Sequence, residues 1–421
     1  MHKRKKHTGL IIALSIITVL IITVVGTVGI YSRFGGFGTG DCADTEEFSK
    51  YATSISELTV PNEAQIVALG EATHGNKEFQ QLRLDVFQAL VEKYGVRAFA
   101  LEGDFGSCEV INRYIHGEDG TAAEVLSATG FAIYRTEEME NLIEWMRNYN
   151  ASAAEGEDLR FYGFDMEQRA YTYRYLLEAL HKANIDAAEF EKMWNSEAST
   201  YADGYTAEQR TEIITTVKEQ LPSDDVQAIH YADVLLQNIE LGKYINDSGE
   251  LNAQRDRMMA ENTMWILQQE QACGNSRIMI SGHNNHIMQC GNAGTPVLGS
   301  LLAENLDDGY FAIGTDFYKS VCNLPKPYTE KRITHTFYSH DPLAKASKKC
   351  GFDVSFLDFS KVSEDSALAE YIANNISMGS LGESYSVLMN FLPRSYRVQR
   401  TPQEAYDAMI FVANATPIKI R

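Results

Sequence analysis

The stretch Gln65–Leu101, QIVALGEATHGNKEFQQLRLDVFQALVEKYGVRAFAL, indicates the fold of this 421-residue chain. It begins and ends with short apolar runs, Gln65–Leu69 and Arg97–Leu101, which are typical of strands covered on both faces. Between them, Glu78–Tyr94 repeats apolar residues at the spacing of an amphipathic helix. A strand, a helix and a second strand in this order predict an α/β fold with a parallel sheet.

Further short apolar runs continue this pattern along the chain. They are Leu159–Phe164, Arg277–Ile280, Tyr310–Ile313, Val354–Leu357, Tyr385–Asn390 and Ala408–Val412. Residues 170–270 interrupt the pattern, because they are acidic, rich in Ala, Glu, Gln and Leu, and contain no convincing strand. We therefore predict an α/β catalytic domain over residues 44–421, with a mostly parallel sheet flanked by helices and a helical insertion over residues 170–270.

The N-terminal region predicts a membrane anchor. The basic residues Lys3–Lys6 precede residues 9–32, which carry no charge. About twenty helical residues span a hydrocarbon core of roughly 30 Å, whereas a cleaved signal peptide, the alternative, usually has a shorter apolar region. Basic residues favour the cytoplasmic side, so residues 1–8 are expected to form a cytoplasmic tail. Residues 33–43 are expected to form a Gly-rich tether, with the catalytic domain outside the cytoplasm of a single-pass protein of the cell membrane.

Composition excludes several functional classes. The chain has 37 Lys and Arg against 57 Asp and Glu, a formal charge of −20, and such an acidic chain is a poor binder of nucleic acid. Its six cysteines show no CxxC spacing, which argues against a Cys-based zinc site and leaves disulfides and free buried thiols both open. The sequence also contains no GxSxG, Walker A or HExxH motif.

Polar, titratable residues follow several of the predicted strands. Because ligands of open α/β sheets bind outside the carboxyl ends of the strands, we expect these residues to share one site. They are Glu71, His74, Glu102, Asp104, His283 and His286. Glu71 and His74 lie three residues apart in a turn bracketed by glycines, where the carboxylate can orient the imidazole as a general base.

Two arginines on predicted helices are candidates for the same site. Arg83 lies at the edge of the apolar stripe of Glu78–Tyr94, and a buried Arg there needs a partner such as Glu102. Arg255 lies on the predicted helix Leu251–Gln269, on a face that mixes polar and Met side chains. A solvated position is the alternative for each of them.

These residues fall within blocks through which the sequence resembles the erythromycin esterase family, from about residue 44 to the C-terminus. The blocks include LGEATHGNKEF, FALEGD, LRFYGFDM, RDRMMAENTMW, ISGHNNHI and YFAIGTDFY. The resemblance implies metal-independent hydrolysis of a carboxylic ester, without a cofactor. Opening of a macrolide lactone, and thus antibiotic resistance, is one such activity.

The resemblance also implies roles for the candidate residues. His74 would activate water with Glu71 beside it, and His283 would bind or polarise the ester carbonyl. The remaining candidates would bind substrate or its oxyanion, and they are Arg83, Glu102, Asp104, Arg255 and His286.

Two other functions remain open at this stage. A metal-dependent hydrolase or protease could use Glu71, His74, Glu102 and His283 as ligands, an arrangement distantly similar to the Tiki-type membrane proteases. A non-catalytic binding module of the cell envelope could use the same cleft. The predicted partners are a small-molecule ester and, through residues 9–32, the membrane. The sequence does not identify the substrate or the oligomeric state.

Overall fold

The computed structural model describes residues 2–34, 40–197, 204–292, 294–326, 329, 331–390 and 392–421. Residues 35–39 of the predicted tether lie outside this part of the chain. The strands are β1 (Ile66–Glu71), β2 (Ala98–Asp104), β3 (Arg160–Asp165), β4 (Ile278–His283), β5 (Tyr310–Pro325), β6 (Arg332–Tyr338), β7 (Val354–Asp358), β8 (Ile376–Gly379), β9 (Arg397–Arg400) and β10 (Ala408–Ala415).

All strands except β8 and β9 form one sheet. Its order is β3-β2-β4-β1-β5-β10-β7, and β6 pairs with β5 outside this path. The strands from β3 to β10 are parallel to their neighbours along the path, while β7 and β6 join antiparallel. The predicted mixed α/β fold with a mostly parallel sheet is therefore confirmed. β8 and β9 form a separate antiparallel pair.

One predicted strand is wrong. Tyr385–Asn390 does not join either sheet, and its last four residues, Val387–Asn390, form a 3₁₀ turn. Val387 and Leu388 are exposed in that turn, so the apolar run that suggested a buried strand has no neighbouring strand to cover it. An apolar run of this length does not distinguish a strand from an exposed apolar turn.

The helices flank the sheet and fill the long connection between β3 and β4. They are α1 (His2–Phe34), α2 (Thr45–Tyr51), α3 (Lys77–Tyr94), α4 (Phe105–Ile115), α5 (Ala122–Ser127), α6 (Glu137–Asn150), α7 (Ala170–Lys182), α8 (Ala188–Glu197), α9 (Ala207–Gln220), α10 (Val226–Leu241), α11 (Ser248–Ala272), α12 (Asn284–Ile287), α13 (Leu298–Leu306), α14 (Pro342–Lys349), α15 (Ala367–Ala373) and α16 (Pro402–Ala405). Between β3 and β4 the described residues form α7 to α11 and contain no strand.

The sheet is covered on both faces, as its apolar strands require. In β1, Ile66 and Ala68 face one hydrophobic cluster, whereas Val67 and Leu69 face the other. Alternate residues of a strand point to opposite faces, so the clusters lie on the two sides of the sheet. α3 and α6 pack on the side of Val67, and α7, α10 and α11 contribute to the opposite cluster.

The first helix contributes none of its described side chains to either hydrophobic cluster. Its segment Ile11–Gly29 is long and apolar enough to cross a membrane, and none of it is buried. Both a membrane anchor and a signal sequence near an N-terminus have this length and composition. All six cysteines lie in the described residues, and none of them forms a disulfide.

Candidate active site

A cleft opens at the carboxyl ends of β1, β2 and β4. In the parallel register of β1 and β4, Glu71 lies beside His283. β2 pairs with the other side of β4, which brings the residues after β2 to the same edge. The cleft has a volume of about 390 Å³, and its lining includes His74, Glu102, Arg255, His283, His286 and Glu383.

The turn that carries His74 is held by its own hydrogen bonds. The hydroxyl of Thr73 accepts from the backbone N–H of Gly75 at 3.0 Å and donates to Oδ1 of Asn76 at 3.1 Å. Gly75 packs so closely against Cys322 that a Cβ at this position would collide with its Sγ. The glycine after His74 is therefore required by close packing, which fixes where the imidazole enters the cleft.

Glu71 is buried behind His74 and is held by three side chains. Its Oε2 lies 3.0 Å from Nδ1 of His74 and 2.8 Å from a guanidinium nitrogen of Arg83, and its Oε1 accepts from Gln80 at 3.2 Å. Burial alone would raise the pKa of Glu71, but the charges of Arg83 and His74 outweigh it and the pKa is lowered. Glu71 is therefore a carboxylate over the physiological range of pH.

This contact determines the state of the His74 ring. A carboxylate only accepts hydrogen bonds, so Nδ1 of His74 carries the proton and Nε2 is the nitrogen with a free lone pair. Burial would lower the pKa of His74, but the charge of Glu71 and its hydrogen bond outweigh burial, and the pKa is raised. The imidazole is thus more basic than usual, and it lines the cleft.

His283 has the opposite electrostatic character, although its ring centroid is only 5.0 Å from that of His74. Burial, followed by the proximity of His74, lowers the pKa of His283 to about 3, so its ring is neutral. Its Nδ1 accepts from the backbone N–H of Asn285 at 3.2 Å, which leaves the proton on Nε2. This Nε2 is buried and has no hydrogen-bond partner among the described residues.

Glu102 contacts residues of three elements at the cleft, namely β4, α11 and α12. Its Oε2 accepts from the backbone N–H of His283 at 2.7 Å, and its Oε1 lies 3.3 Å from Arg255 and 3.4 Å from His286. Burial opposes ionisation of Glu102, but the charges of His286 and Arg255 outweigh it, and the pKa is lowered. Arg255 also contacts Asp165 through its Nε at 3.2 Å. The positive charges of Arg255 and His286 are therefore paired with buried carboxylates.

His286 lies between two of these carboxylates. Its Nδ1 is 2.7 Å from Oδ1 of Asp256, and its Nε2 faces Glu102. Burial would lower the pKa of His286, but Glu102 and Asp256 outweigh it and the pKa is raised. Two histidines with a raised pKa, His74 and His286, thus flank the neutral His283.

The structure brings together seven of the eight predicted site residues. They are Glu71, His74, Arg83, Glu102, Arg255, His283 and His286. Asp104 does not line the cleft. Its Oδ1 caps α4 by accepting from the backbone N–H and the hydroxyl of Ser107 at 2.8 and 2.9 Å. Burial raises the pKa of Asp104 to about 8.

Three acidic residues of this region are not among the eight predicted site residues. Asp165 ends β3, so the strand-end rule that found Glu102 also points to it. Asp256 follows Arg255 on α11 and is buried. Glu383 lies on the loop after β8 and has no sequence signal. In the described part of the chain, no three His, Cys, Asp or Glu side chains are grouped to hold a metal ion.

The fold and the cleft together define an α/β protein whose strand ends present a histidine–carboxylate pair beside a neutral histidine. The model of the erythromycin esterase family matches residues 91–415. The chain belongs to the erythromycin esterase family.

Two curated relatives agree with this membership. The chain is 25% identical over 358 residues to an erythromycin esterase type II of Escherichia coli, covering 72% of this chain and 82% of that protein. It is 21% identical over 299 residues to the putative hydrolase YbfO of Bacillus subtilis, covering 60% of this chain and 65% of that protein.

Solved structures share the fold. A succinoglycan biosynthesis protein superposes with a TM-score of 0.74 at 21% identity, covering 90% of this chain and 98% of that one. A protein from Bacillus cereus gives 0.74 at 19% identity, covering 90% and 99%. A mutant of the erythromycin esterase EreC in its open conformation gives 0.57 at 16% identity, covering 84% and 91%.

Proposed function

We propose that the chain is a hydrolase of carboxylic esters in which His74 activates the attacking water. The observation that carries this proposal is the pairing of Nδ1 of His74 with the buried carboxylate of Glu71 at 3.0 Å. It leaves the basic Nε2 for the substrate side of the ring, as a general base requires. Membership of the erythromycin esterase family supports ester hydrolysis.

The reaction follows from the two rings that face each other. Nε2 of His74 accepts a proton from water as the water oxygen bonds to the ester carbonyl carbon. Negative charge then develops on the carbonyl oxygen, and the unpartnered Nε2–H of His283 can donate a hydrogen bond to it. Such a donor contributes about 3–4 kcal/mol to the transition state. As the ester C–O bond breaks, the His74 imidazolium returns its proton to the leaving alkoxide.

The surrounding charges have supporting roles in this proposal. Glu71 stabilises the imidazolium that forms on His74, and Arg83 holds Glu71 in place at 2.8 Å. Glu102 positions His283 by accepting a hydrogen bond from the backbone N–H of His283. Arg255 and His286 line the cleft beside Glu102 and offer positive charge to the oxygens of the substrate.

A macrolide lactone is the first substrate to test, because a relative of this chain is named as an erythromycin esterase. Hydrolysis of that lactone would make the protein a candidate for antibiotic resistance. Another relative in fold is named for succinoglycan biosynthesis, and the cleft is lined by many polar side chains. Esters of acylated glycans are therefore the second substrate class to test.

We also propose that residues 9–32 anchor the protein in the cell membrane as a single span. The segment Ile11–Gly29 is long and apolar enough, and Lys3–Lys6 favour a cytoplasmic N-terminus. The catalytic part of the chain would then lie outside the cytoplasm.

The activity is tested by mass spectrometry of erythromycin and of acylated oligosaccharides incubated with the purified full chain. We expect a mass gain of one water on erythromycin, or hydrolytic loss of the acyl group from the oligosaccharide, and neither with His74→Ala. His116→Ala is the control, because His116 pairs with a carboxylate, Asp158, at 3.1 Å on the surface. Full activity in His74→Ala would contradict the role of His74.

Two other outcomes would replace the proposal with one of its alternatives. Stoichiometric Mn, Co or Zn in the purified protein, with activity lost to a chelator, would support a metal-dependent hydrolase using Glu71, His74, Glu102 and His283. Binding of these esters without turnover would support a binding module of the cell envelope.

A further inference from the structure

Exposed apolar side chains are concentrated at one turn of the body of the protein. Val387, Leu388 and Leu392 are 65%, 60% and 39% exposed. We call these three residues the apolar turn. Outside α1, the other large hydrophobic residues that are exposed in the described chain are Val226 and Ile245, which stand alone on other elements. Scattered apolar residues need no explanation, whereas a cluster of them indicates a contact surface.

The residues beside the apolar turn pack into the core, while the side chains of the turn itself stay exposed. Tyr385 is 7% exposed and Met389 is half-buried. Tyr385 belongs to the hydrophobic cluster on the face of the sheet to which Val67 points, and Met389 packs against this cluster. The backbone N–H of Tyr385 donates to the carbonyl of Pro325 at the end of β5. The segment is therefore attached to the sheet on one side, and Val387 and Leu388 point to the other.

The apolar turn lies beside the helix proposed to span the membrane. α1 contacts both β6 and the 3₁₀ turn Val387–Asn390. Thr27 and Val28 are half-buried, whereas the residues before them in the apolar segment are exposed. The body thus meets α1 near the end of Ile11–Gly29, which is where a spanning helix leaves the hydrocarbon core.

Basic side chains flank the apolar turn, although the chain as a whole is acidic. Arg394 follows Leu392 by two residues and is exposed, and Lys326 is exposed next to Pro325, to which Tyr385 is bonded. Apolar side chains with Lys and Arg beside them are typical of segments that lie in the membrane interface. The cations face anionic headgroups while the apolar groups enter the acyl region.

The same loop forms part of the rim of the cleft. Glu383, four residues before Val387, lines the cleft and accepts from Arg332 of β6 at 2.7 Å. β6 in turn contacts α1. β6 thus contacts both the rim of the cleft, through Glu383, and α1. The apolar turn follows Glu383 on the same loop.

We propose that the apolar turn inserts into the surface of the lipid bilayer beside α1, so that the cleft opens at the level of the headgroups. This inference rests on the proposed anchor and adds a second membrane contact to it. With both contacts the body cannot rotate freely on its tether, and esters displayed at the membrane surface can reach His74. The partner is the bilayer, recognised by its apolar interior and anionic headgroups.

The test uses the full chain reconstituted into phosphatidylcholine–phosphatidylglycerol vesicles whose acyl chains are brominated near the headgroup. Leu388→Trp and Val387→Trp introduce a fluorophore at the apolar turn, and their emission is measured as the difference from the parent chain, which has three Trp residues. Ile245→Trp is the matched control, because Ile245 is apolar and 71% exposed but lies between α10 and α11, in a different part of the chain.

We expect bromine to remove most of the added emission of Leu388→Trp and Val387→Trp and little of that of Ile245→Trp. Equal, weak quenching of all three variants in protein that floats with the vesicles would overturn the inference and leave the anchor intact. Protein that fails to float with the vesicles would overturn the anchor and the inference together. Ester hydrolysis is measured separately, so neither result is confused with loss of the proposed activity.

Discussion

Nδ1 of His74 lies 3.0 Å from Oε2 of Glu71, and the same oxygen lies 2.8 Å from Arg83. The carboxylate is therefore shared between a titratable ring and a permanent cation. Arg83 favours the ionised form of Glu71, and the ionised form raises the basicity of His74. One buried carboxylate thus controls both the tautomer and the charge of the proposed base.

Glu71→Gln is expected to reduce kcat by up to about 10²–10⁴, because His74 then loses the carboxylate that fixes its tautomer and stabilises its imidazolium, and with it much of its contribution as a general base. The pH dependence should change as well. His74 works as a base only when neutral, so activity of the parent chain rises with pH through its raised pKa. Without the charge of Glu71, burial still lowers the pKa of His74, and this rise moves to lower pH.

The pH profile of kcat measures this shift. Asp158→Asn is the control, because it removes the carboxylate of the exposed His116–Asp158 pair. An unchanged position of the acidic limb in Glu71→Gln would show that His74 is not the group that titrates.

His283→Ala is expected to lower kcat by about 10²–10³ with little change in KM, the pattern of a lost oxyanion donor. The reason is that its buried Nε2–H has no hydrogen-bond partner among the described residues, and in the proposed mechanism it donates to the oxyanion. Because burial, followed by His74, lowers the pKa of His283 to about 3, this loss should be constant between pH 6 and 9. Steady-state kinetics at several pH values test both statements. A large rise in KM alone would assign His283 to ground-state binding.

Most of the sheet and the strand-end residues could be predicted from the sequence. The apolar runs are short and bounded, and each parallel strand must deliver its next residues to the same edge. Glu71, Glu102 and His283 therefore meet wherever β1, β2 and β4 are neighbours, as they are here. The order of these strands was not needed for the prediction.

The rest depends on tertiary packing that a linear pattern does not contain. Arg255 reaches Asp165 because α11 packs against β3, and helix spacing alone does not identify this partner. Asp104 follows the strand-end rule but turns back to cap α4. Tyr385–Asn390 resembles a buried strand, because an apolar run alone does not show whether its side chains are buried or exposed.

Asp104→Asn is expected to leave KM unchanged, because Asp104 caps α4 and does not line the cleft. It should also alter the dependence of stability on pH. Unfolded Asp loses its proton near pH 4, whereas burial holds the pKa of Asp104 in the folded chain at about 8. Between these values the folded state binds the extra proton, so this group makes stability fall as pH rises.

An Asn side chain can still accept from Ser107 but does not titrate. The free energy of unfolding should therefore decline less between pH 6 and 9 in Asp104→Asn than in the parent chain. Denaturant unfolding at both pH values measures this difference. Parallel declines in the two proteins would contradict the raised pKa, and a raised KM would return Asp104 to the substrate site.

Arg255→Met is expected to destabilise the protein by about 3–5 kcal/mol, because it leaves a buried carboxylate without its partner. Asp165 is fully buried and bonded to Arg255, and Glu102 lies 3.3 Å from the same guanidinium. Adding Asp165→Asn should recover part of this loss, since the second substitution removes the uncompensated charge. Lys192→Ala is the control, because Lys192 and Glu189 form an exposed pair at 3.7 Å and such pairs contribute about 0–1 kcal/mol.

Denaturant unfolding of the single and double variants measures the coupling between Arg255 and Asp165. If the double variant is no more stable than Arg255→Met, the carboxylate of Asp165 is not the group that Arg255 neutralises. Glu102 or Glu167, whose carboxylate oxygens lie 3.3 and 3.5 Å from the same guanidinium, would then be that group. The double variant should still lose activity, because Arg255 also faces the cleft beside Glu102. Recovery of stability without recovery of kcat would thus separate the structural role of Arg255 from its role toward substrate.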